Sequence, residues 1–293
     1  MRRAFLVLFA GLVPVGAACA QQGAGDVVYV PTPQVVVDRM LAMANVGQDD
    51  YLIDLGSGDG RVVITAAKRG ARALGVDLDR HLLGVASEAA KREGVAERAS
   101  FREQNLFETD LADATVVTSY LLPDMNLKLR PKILALKPGT RVVAHDYHMG
   151  DWLPDARDVL SVPEKKVGTV GISYVYLWHV PARVAGRWQG AIPFGTGTTA
   201  LELDLEQKFQ VLTGQATAVA GRPTRLRAPT IRGDALAFLL EVGSTQNPVR
   251  YSFRGRVAGD EVRGTVVMSD PARGQREHPW SAQRVAPAAV RQD

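Results

Sequence analysis

Cysteine is all but missing from this chain. Its 293 residues include one, Cys19, so an intrachain disulfide and a cysteine-based zinc site are both excluded. Aromatic residues are sparse at 6% and are not interleaved with a basic stripe. Nucleic acid is therefore not the expected partner. The formal net charge of +4 resides in the part after Pro181; before it the two signs nearly cancel. Beyond residue 20 no apolar run is long enough to cross a bilayer. What the chain does have is 46% apolar residues, enough for a sizeable core without a metal or disulfide staple.

The longest apolar run comes first. MRRAFLVLFAGLVPVGAACA places Arg2 and Arg3 before an apolar stretch from Ala4 to Ala18, and ends on the small residues Ala18-Cys19-Ala20. That order is the pattern of a secretory signal peptide over residues 1–20, with cleavage after Ala20. Two other readings stay open: lipid attached to Cys19, for which Gly16 stands where a Leu-like residue is usual, and an uncleaved anchor, for which the run is short. Each puts the body of the protein outside the cytoplasm, in the periplasm or secreted. Membrane contact is expected only through an uncleaved or lipidated N-terminus.

The remainder divides into two textures. From Asp50 to about Val180 short apolar runs alternate with helical stretches. YLIDL (51–55), RALGVD (72–77), ASFREQNLF (99–107), ATVVTSYLLP (114–123), GTRVVAHDY (139–147) and ISYVYLWHV (172–180) read as strands. Residues 61–70, 81–94 and 124–136 read as helices, the last with Pro131 as an awkward interior residue that predicts a kink or a split. Such alternation with short connections predicts a Rossmann-like α/β sheet, parallel and covered on both faces. After Pro181 the runs LELDLEQKFQVL (201–212), 225–231, 235–242, 249–257 and 262–268 alternate and are separated by turn signals. They predict a small antiparallel all-β unit, barrel or sandwich, over residues 186–287. Its opening Gly186-Arg187-Trp188 resembles the Gly-x-Trp start of lipocalin-like barrels, and Trp280 is placed to close onto the same core.

Asp54-Leu55-Gly56-Ser57-Gly58-Asp59-Gly60-Arg61 follows a strand and opens a helix. A phosphate-binding loop would end Gly-Lys-Ser/Thr, whereas here Arg61 and Val62 follow the last glycine. A dinucleotide fold needs G-x-G-x-x-G; the spacing here is G-x-G-x-G, one residue short. Asp54 and Asp59 beside the loop would repel a pyrophosphate and suit a ligand with a cationic amine. Asp77 follows Gly56 by 21 positions at the end of the next strand, where an acid can bind both hydroxyls of a ribose. An amine, a ribose and no phosphate describe S-adenosylmethionine.

With those residues in view, DLGSGDGR followed by GVDLD resembles the first two motifs of class I S-adenosylmethionine-dependent methyltransferases. The likeness continues through YVPTPQVVVDRML (29–41), FREQNLFETDL (101–111), ATVVTSYLLPDMN (114–126) and LKPGTRVVAHDYHMGDW (136–152). This set is similar to the protein-lysine methyltransferases of the adenine nucleotide carrier and the ATP synthase c-subunit. It covers residues 28–181 and does not reach the C-terminal β segment. The resemblance implies that Asp54, Gly56, Ser57, Gly58 and Gly60 hold the amino-acid end of the donor and that Asp77 binds its ribose. Asn105 stands where the family usually has an acid near the adenine. Tyr120 to Pro123 form the substrate-facing motif, Tyr29, Pro31 and Pro33 fold over the donor, and His145 follows the fifth strand at the same edge.

Methyl transfer asks the protein mainly to align nucleophile, methyl and sulfur and to exclude water. If the acceptor is a lysine, it must arrive unprotonated, so Tyr120 is expected to orient the amine rather than to act as a base. His145, Asp146 and His148 either contact substrate or form a solvated loop; three ligands so close in an extended segment rarely converge on a metal. Two other classes compete: an exported binding protein that keeps the fold without turnover, and a nicotinamide-linked oxidoreductase resting on Asp77 alone. The localisation reading is checked by N-terminal sequencing of the native protein, expected to begin at Gln21; an intact Met1 in a cytoplasmic fraction would overturn it.

Overall fold

The computed structural model describes residues 29–218, 221–243 and 246–287. The segment read as an export signal, Cys19 included, lies outside the described residues. No helix among the described residues is long and apolar enough to cross a membrane.

A seven-stranded sheet occupies the N-terminal part. Its strands are β1 (Tyr51–Leu55), β2 (Arg72–Asp77), β3 (Ala99–Glu103), β4 (Val116–Ser119), β5 (Arg141–His145), β6 (Ala156–Ser161) and β7 (Ile172–His179), in the order β3-β2-β1-β4-β5-β7-β6. The first five in that order are parallel; β7 and β6 run antiparallel at one edge. The expectation of a parallel sheet therefore holds for its centre and is corrected at that edge. Strand β6 has no counterpart in the sequence reading. It is an edge strand flanked by Pro154 and Pro163, half-exposed along its length, so it lacks the apolar run that marks a central strand.

Four helices accompany this sheet: α1 (Gln34–Met43), α2 (Arg61–Lys68), α3 (Arg80–Arg92) and α4 (Pro123–Ile133). In β1 the side chains alternate between the faces. Leu52 joins a core with Val36, Met40 and Leu41 of α1 and Val63 and Ala66 of α2; Ile53 and Leu55 join another with Leu129 and Ile133 of α4. Asp79 caps α3 by accepting the amides of His81 and Leu82. Pro123 begins α4 at its first turn, where a missing N–H costs nothing. Pro131 does not split α4: it falls in the last turn, and the helix ends two residues later.

The C-terminal part is a closed antiparallel barrel, which resolves the choice between barrel and sandwich. It comprises β8 (Gly186–Phe194), β9 (Gly197–Lys208), β10 (Val211–Ala218), the short β11 (Thr224–Arg225), β12 (Arg227–Arg232), β13 (Ala235–Val242), β14 (Val249–Ala258), β15 (Glu261–Asp270) and β16 (Gly274–Pro287). Pairing of β9 with β10 closes the ring, which leaves β11 as an appendage. Residues 201–212, one run in the sequence reading, are the two arms of a hairpin that turns at Phe209 and Gln210. An eight-stranded ring is just wide enough for side chains to fill. Trp188, Phe238, Phe253 and Trp280 do so, Phe238 stacking on Phe253 at 4.3 Å and Trp280 meeting Phe253 edge-on at 4.9 Å.

The barrel is bolted to the sheet by that hairpin. Phe209, 4% exposed and at φ +52°, inserts into the α4-side core and stacks on Trp152 at 6.0 Å. Lys208 pairs with Asp151, and Gln210 donates to the carbonyl of Leu153. Buried Gln207 holds the connecting segment through Val184 N–H and the Ala182 carbonyl. A second hairpin touches at Gly233, whose carbonyl accepts Ala182 N–H and which packs on Gly139. Gly139 precedes β5, so these contacts lie at the end of the sheet where its parallel strands begin.

Deleting the inserted ring tests this attachment. Phe209→Ala is expected to lower unfolding stability by about 3–5 kcal/mol, measured by urea denaturation. A loss below about 1 kcal/mol would show that Trp152 and its neighbours close over the gap.

Candidate functional site

The strand order reverses between β1 and β4, and in open α/β sheets such a point leaves a crevice beyond the carboxyl ends of the strands. Here the crevice is a cavity of about 280 Å³, just under the usual range for small-molecule sites. Its walls come from the ends of three strands and the turns after them: Asp54, Gly56 and Ser57 after β1, Val76, Asp77 and Leu78 after β2, and Ser119, Tyr120 and Leu121 after β4. Tyr29, Val30, Pro31 and Thr32 cover one side, Gln104 to Phe107 another, and Met125 and Lys128 of α4 complete the rim.

The glycine-rich turn owes its shape to neighbouring backbone. The amides of Gly56 and Ser57 both donate to the carbonyl of Val76 in β2, and Gly58 N–H donates to Asp77 Oδ2 at 2.8 Å. Gly58 has φ +52°, and a Cβ there would meet the Tyr29 ring at 2.2 Å. Only glycine lets the covering segment lie flat on the turn. Gly60 has φ +77°, and its added Cβ would strike Phe101 and Ala86. Both glycines, expected to hold the amino-acid end of the donor, thus face packed protein, and neither lines the cavity. Their part is to shape the turn that does.

Asp77 is fixed twice over. Oδ2 takes the Gly58 amide and Oδ1 the Asp79 amide at 3.0 Å. A carboxylate offers about four acceptor positions, so roughly two remain for hydroxyls in the cavity. Asp54 is the opposite case. It is 4% exposed, accepts one bond from Thr118 Oγ1 at 2.7 Å, and has no cation beside it among the described residues. Burial, reinforced by the carboxylates of Asp77 and Asp59, pushes its pKa up to about 7. Asp59 is not free to act as a second anionic wall: Arg61 forks onto it at 2.5 and 2.9 Å and ties it to the Thr32 carbonyl. Its carboxyl is held below the usual range by those Arg61 bonds in spite of burial.

Asn105 lines the cavity, and its Oδ1 accepts the Phe107 amide at 3.0 Å, leaving the side-chain NH2 as its remaining donor. Lys128 sits over the Phe107 ring at 4.1 Å. Burial, with Asp59 beside it, lifts the Tyr29 phenol to about 12. Burial and the adjacent Asp146 carboxylate push the Tyr120 phenol well above its usual range, so it is protonated at all ordinary pH.

Two residues expected to face substrate do not line the cavity. Pro123 is exposed at the start of α4, outside the cavity wall. His145 is fully buried behind Tyr120, its ring 3.9 Å from the tyrosine's. Its Nδ1 is hydrogen-bonded with Thr32 Oγ1 and its Nε2 with Ser173 Oγ. Burial lowers its pKa to about 4, so the imidazole is neutral. The Asp146 side chain is buried too, so the solvated loop considered for this stretch is corrected at His145 and Asp146, while His148 is exposed. Tyr120, Asp54, Gly56, Ser57, Asp77, Asn105, Tyr29 and Pro31 are brought together around one space.

Sequence reasoning missed Thr118, Ser119 and Phe107, and it read Lys128 as part of a surface face, whereas it lies at the rim of the cavity. Ser57 and Ser119 are among the residues lining the cavity, while their Oγ atoms are buried and have no hydrogen-bond partner among the described residues. A buried carboxyl with no cation beside it, an aspartate with acceptor positions to spare and a free amide NH2 would suit a polar, cationic, hydroxyl-bearing ligand such as S-adenosylmethionine, with Asp54 toward the amine, Asp77 toward the ribose, and Asn105 and Phe107 toward the adenine.

Residues 54–156 match the ANTKMT methyltransferase domain. A protein-lysine N-methyltransferase of Saccharolobus islandicus is 44% identical over 154 residues, which are 52% of this chain and 94% of that protein. The adenine nucleotide translocase lysine N-methyltransferase of Mus musculus is 33% identical over 45% of this chain, and the match spans 58% of its own length. An RNA methyltransferase of Salinibacter ruber, crystallised with S-adenosyl-L-homocysteine, is 48% identical over 53% of this chain and 96% of its own, with a TM-score of 0.47. The chain belongs to the family of S-adenosylmethionine-dependent methyltransferases that includes the archaeal protein-lysine enzyme.

Proposed function

We propose that this protein moves the methyl group of S-adenosylmethionine to a lysine amine of a protein. Asp54 carries the reading: a carboxylate buried beside a cavity, with no cation of its own among the described residues, calls for a cationic ligand. The relatives named for lysine methylation supply the acceptor class.

In this reading Asp54, Gly56 and Ser57 hold the amino-acid end of the donor, Asp77 takes its two ribose hydroxyls, and Asn105 meets the adenine. Tyr29 and Pro31 cover it, tied down through Arg61 and the Thr32 carbonyl. Bound there, the donor supplies an electrophilic methyl on a sulfonium. The protein's own contribution is alignment. Leu121 and Met125 give the entrance an apolar lining, which favours the neutral, nucleophilic form of an arriving lysine. Tyr120, protonated and adjacent to Ser119 at the end of β4, is placed to hold that amine in line. Export by residues 1–20 remains part of the proposal and rests on the order of charge, apolar run and small residues alone.

Calorimetry with S-adenosylhomocysteine tests the donor site. Asp77→Ala is expected to weaken binding about 10- to 100-fold, the worth of hydrogen bonds to a charged group; unchanged affinity would remove Asp77 from the site. The acceptor is tested separately with labelled donor and a panel of single-lysine peptides. Label on lysine supports the reading, and binding without label on any peptide counts against the acceptor assigned.

The buried carboxylate also sets a pH dependence. Protonated Asp54 cannot pair with the ligand's ammonium, so affinity should climb as pH rises toward and through about 7. It should fall again once the α-amine deprotonates, near pH ~8. In Asp54→Asn the climb should vanish; if it persists, another group governs it.

A further inference from the structure

Behind the cavity wall lies an ion pair that donor binding leaves unused. Asp146 follows β5 at φ +61° and is locked to β7: its amide donates to the Tyr174 carbonyl at 2.7 Å, and its Oδ1 accepts the Tyr174 amide at 3.1 Å. Its Oδ2 receives Lys165 Nζ at 2.5 Å and the Tyr120 hydroxyl at 3.3 Å. Lys165 also donates to the Ile172 carbonyl. Both side chains are only 4% exposed. A buried pair of this kind is a weak source of stability, because desolvating two charges offsets most of their attraction.

We infer that the Asp146–Lys165 pair is a positioning device that turns the Tyr120 hydroxyl proton away from the cavity, so that its oxygen can only accept a hydrogen bond from the incoming amine. The inference rests on the lysine-acceptor reading. A carboxylate carries no proton, so Tyr120 must be the donor in its contact with Asp146. A phenol has one hydrogen, and that hydrogen is then spent. At 3.3 Å the bond is long for O–H···O, and its effect is directional. The ring cannot swing to restore the hydroxyl to the cavity, because His145 lies against it at 3.9 Å and is itself held by Thr32 and Ser173. An amine that donates N–H to the remaining lone pairs keeps its own lone pair free for the methyl. A hydroxyl that donated instead would occupy that lone pair and block the attack.

The test uses the full chain labelled with 13Cζ-tyrosine, the Tyr120 resonance being assigned by its loss in Tyr120→Phe. Asp146→Asn combined with Lys165→Met removes the pair without leaving a buried charge unmatched. The Tyr120 resonance is expected to move while that of Tyr51, at the start of β1 against Arg72, stays, and S-adenosylhomocysteine affinity should hold within about twofold. On a single-lysine peptide that the wild type methylates, kcat should fall about 10- to 100-fold. An unmoved Tyr120 resonance overturns the inference, as does a loss of S-adenosylhomocysteine affinity that parallels the loss of rate, which would mark a collapsed pocket. If the double variant does not fold, Tyr120→Phe alone decides: it leaves the pair intact, and an unchanged kcat overturns the role. If the wild type binds S-adenosylhomocysteine yet methylates no peptide, the acceptor reading has failed, and the tyrosine resonance still reports whether the pair sets the hydroxyl.

Discussion

A buried carboxyl with no cation beside it among the described residues is the constraint on which the rest of the site depends. Asp54 sits in the central strand β1, 4% exposed at the cavity wall, where among the described residues only Thr118 hydrogen-bonds its side chain. Such a position is costly for a folded chain unless something outside it completes the pairing. The surroundings are arranged to keep it so. Arg61, the cation that follows the turn, is drawn off by Asp59 and the Thr32 carbonyl. Asp77 is held in place by backbone amides, which fix its direction without cancelling its charge. The glycines of the turn let Tyr29 and Phe101 pack close and so hold the cavity's floor and cover against each other.

The same logic of supporting parts runs through the rest of the molecule. Thr32 of the covering segment, Tyr120 at the cavity and Ser173 in β7 meet through one neutral histidine, so cover, wall and sheet edge share a joint. Arg130 of α4 binds the Met149 carbonyl and Asp151 and lies over Phe209 of the barrel hairpin at 5.3 Å. That helix also lends Met125 and Lys128 to the rim. Through α4 the barrel hairpin is thus linked to the rim of the cavity.

Much of this was legible in the chain. The central strands announce themselves as short apolar runs because both their faces are covered, and the spacing from Gly56 to Asp77 reflects one strand-helix-strand unit. The turn could be told from a phosphate cradle by its acids and its spacing. What stayed hidden depends on contacts between distant segments. Nothing near Gly58 and Gly60 reveals that Tyr29 and Phe101 fill the space a side chain would need. His145 reads as a site residue by its place after a strand, yet the antiparallel return of β7 buries it, and β7 and β6 have no parallel-sheet signature. The hairpin at Phe209 was invisible because an aromatic residue at positive φ is a poor turn signal. It is tolerated there because the ring has a core to enter.

The barrel meets the sheet where its parallel strands begin, and the cavity opens where they end. A strand of five residues such as β1 is about 16 Å long, so the two features are separated by at least the height of the sheet. Any partner gripping the barrel while offering a residue to the cavity must reach across that height. For such a partner the height of the sheet sets the shortest distance between grip and target.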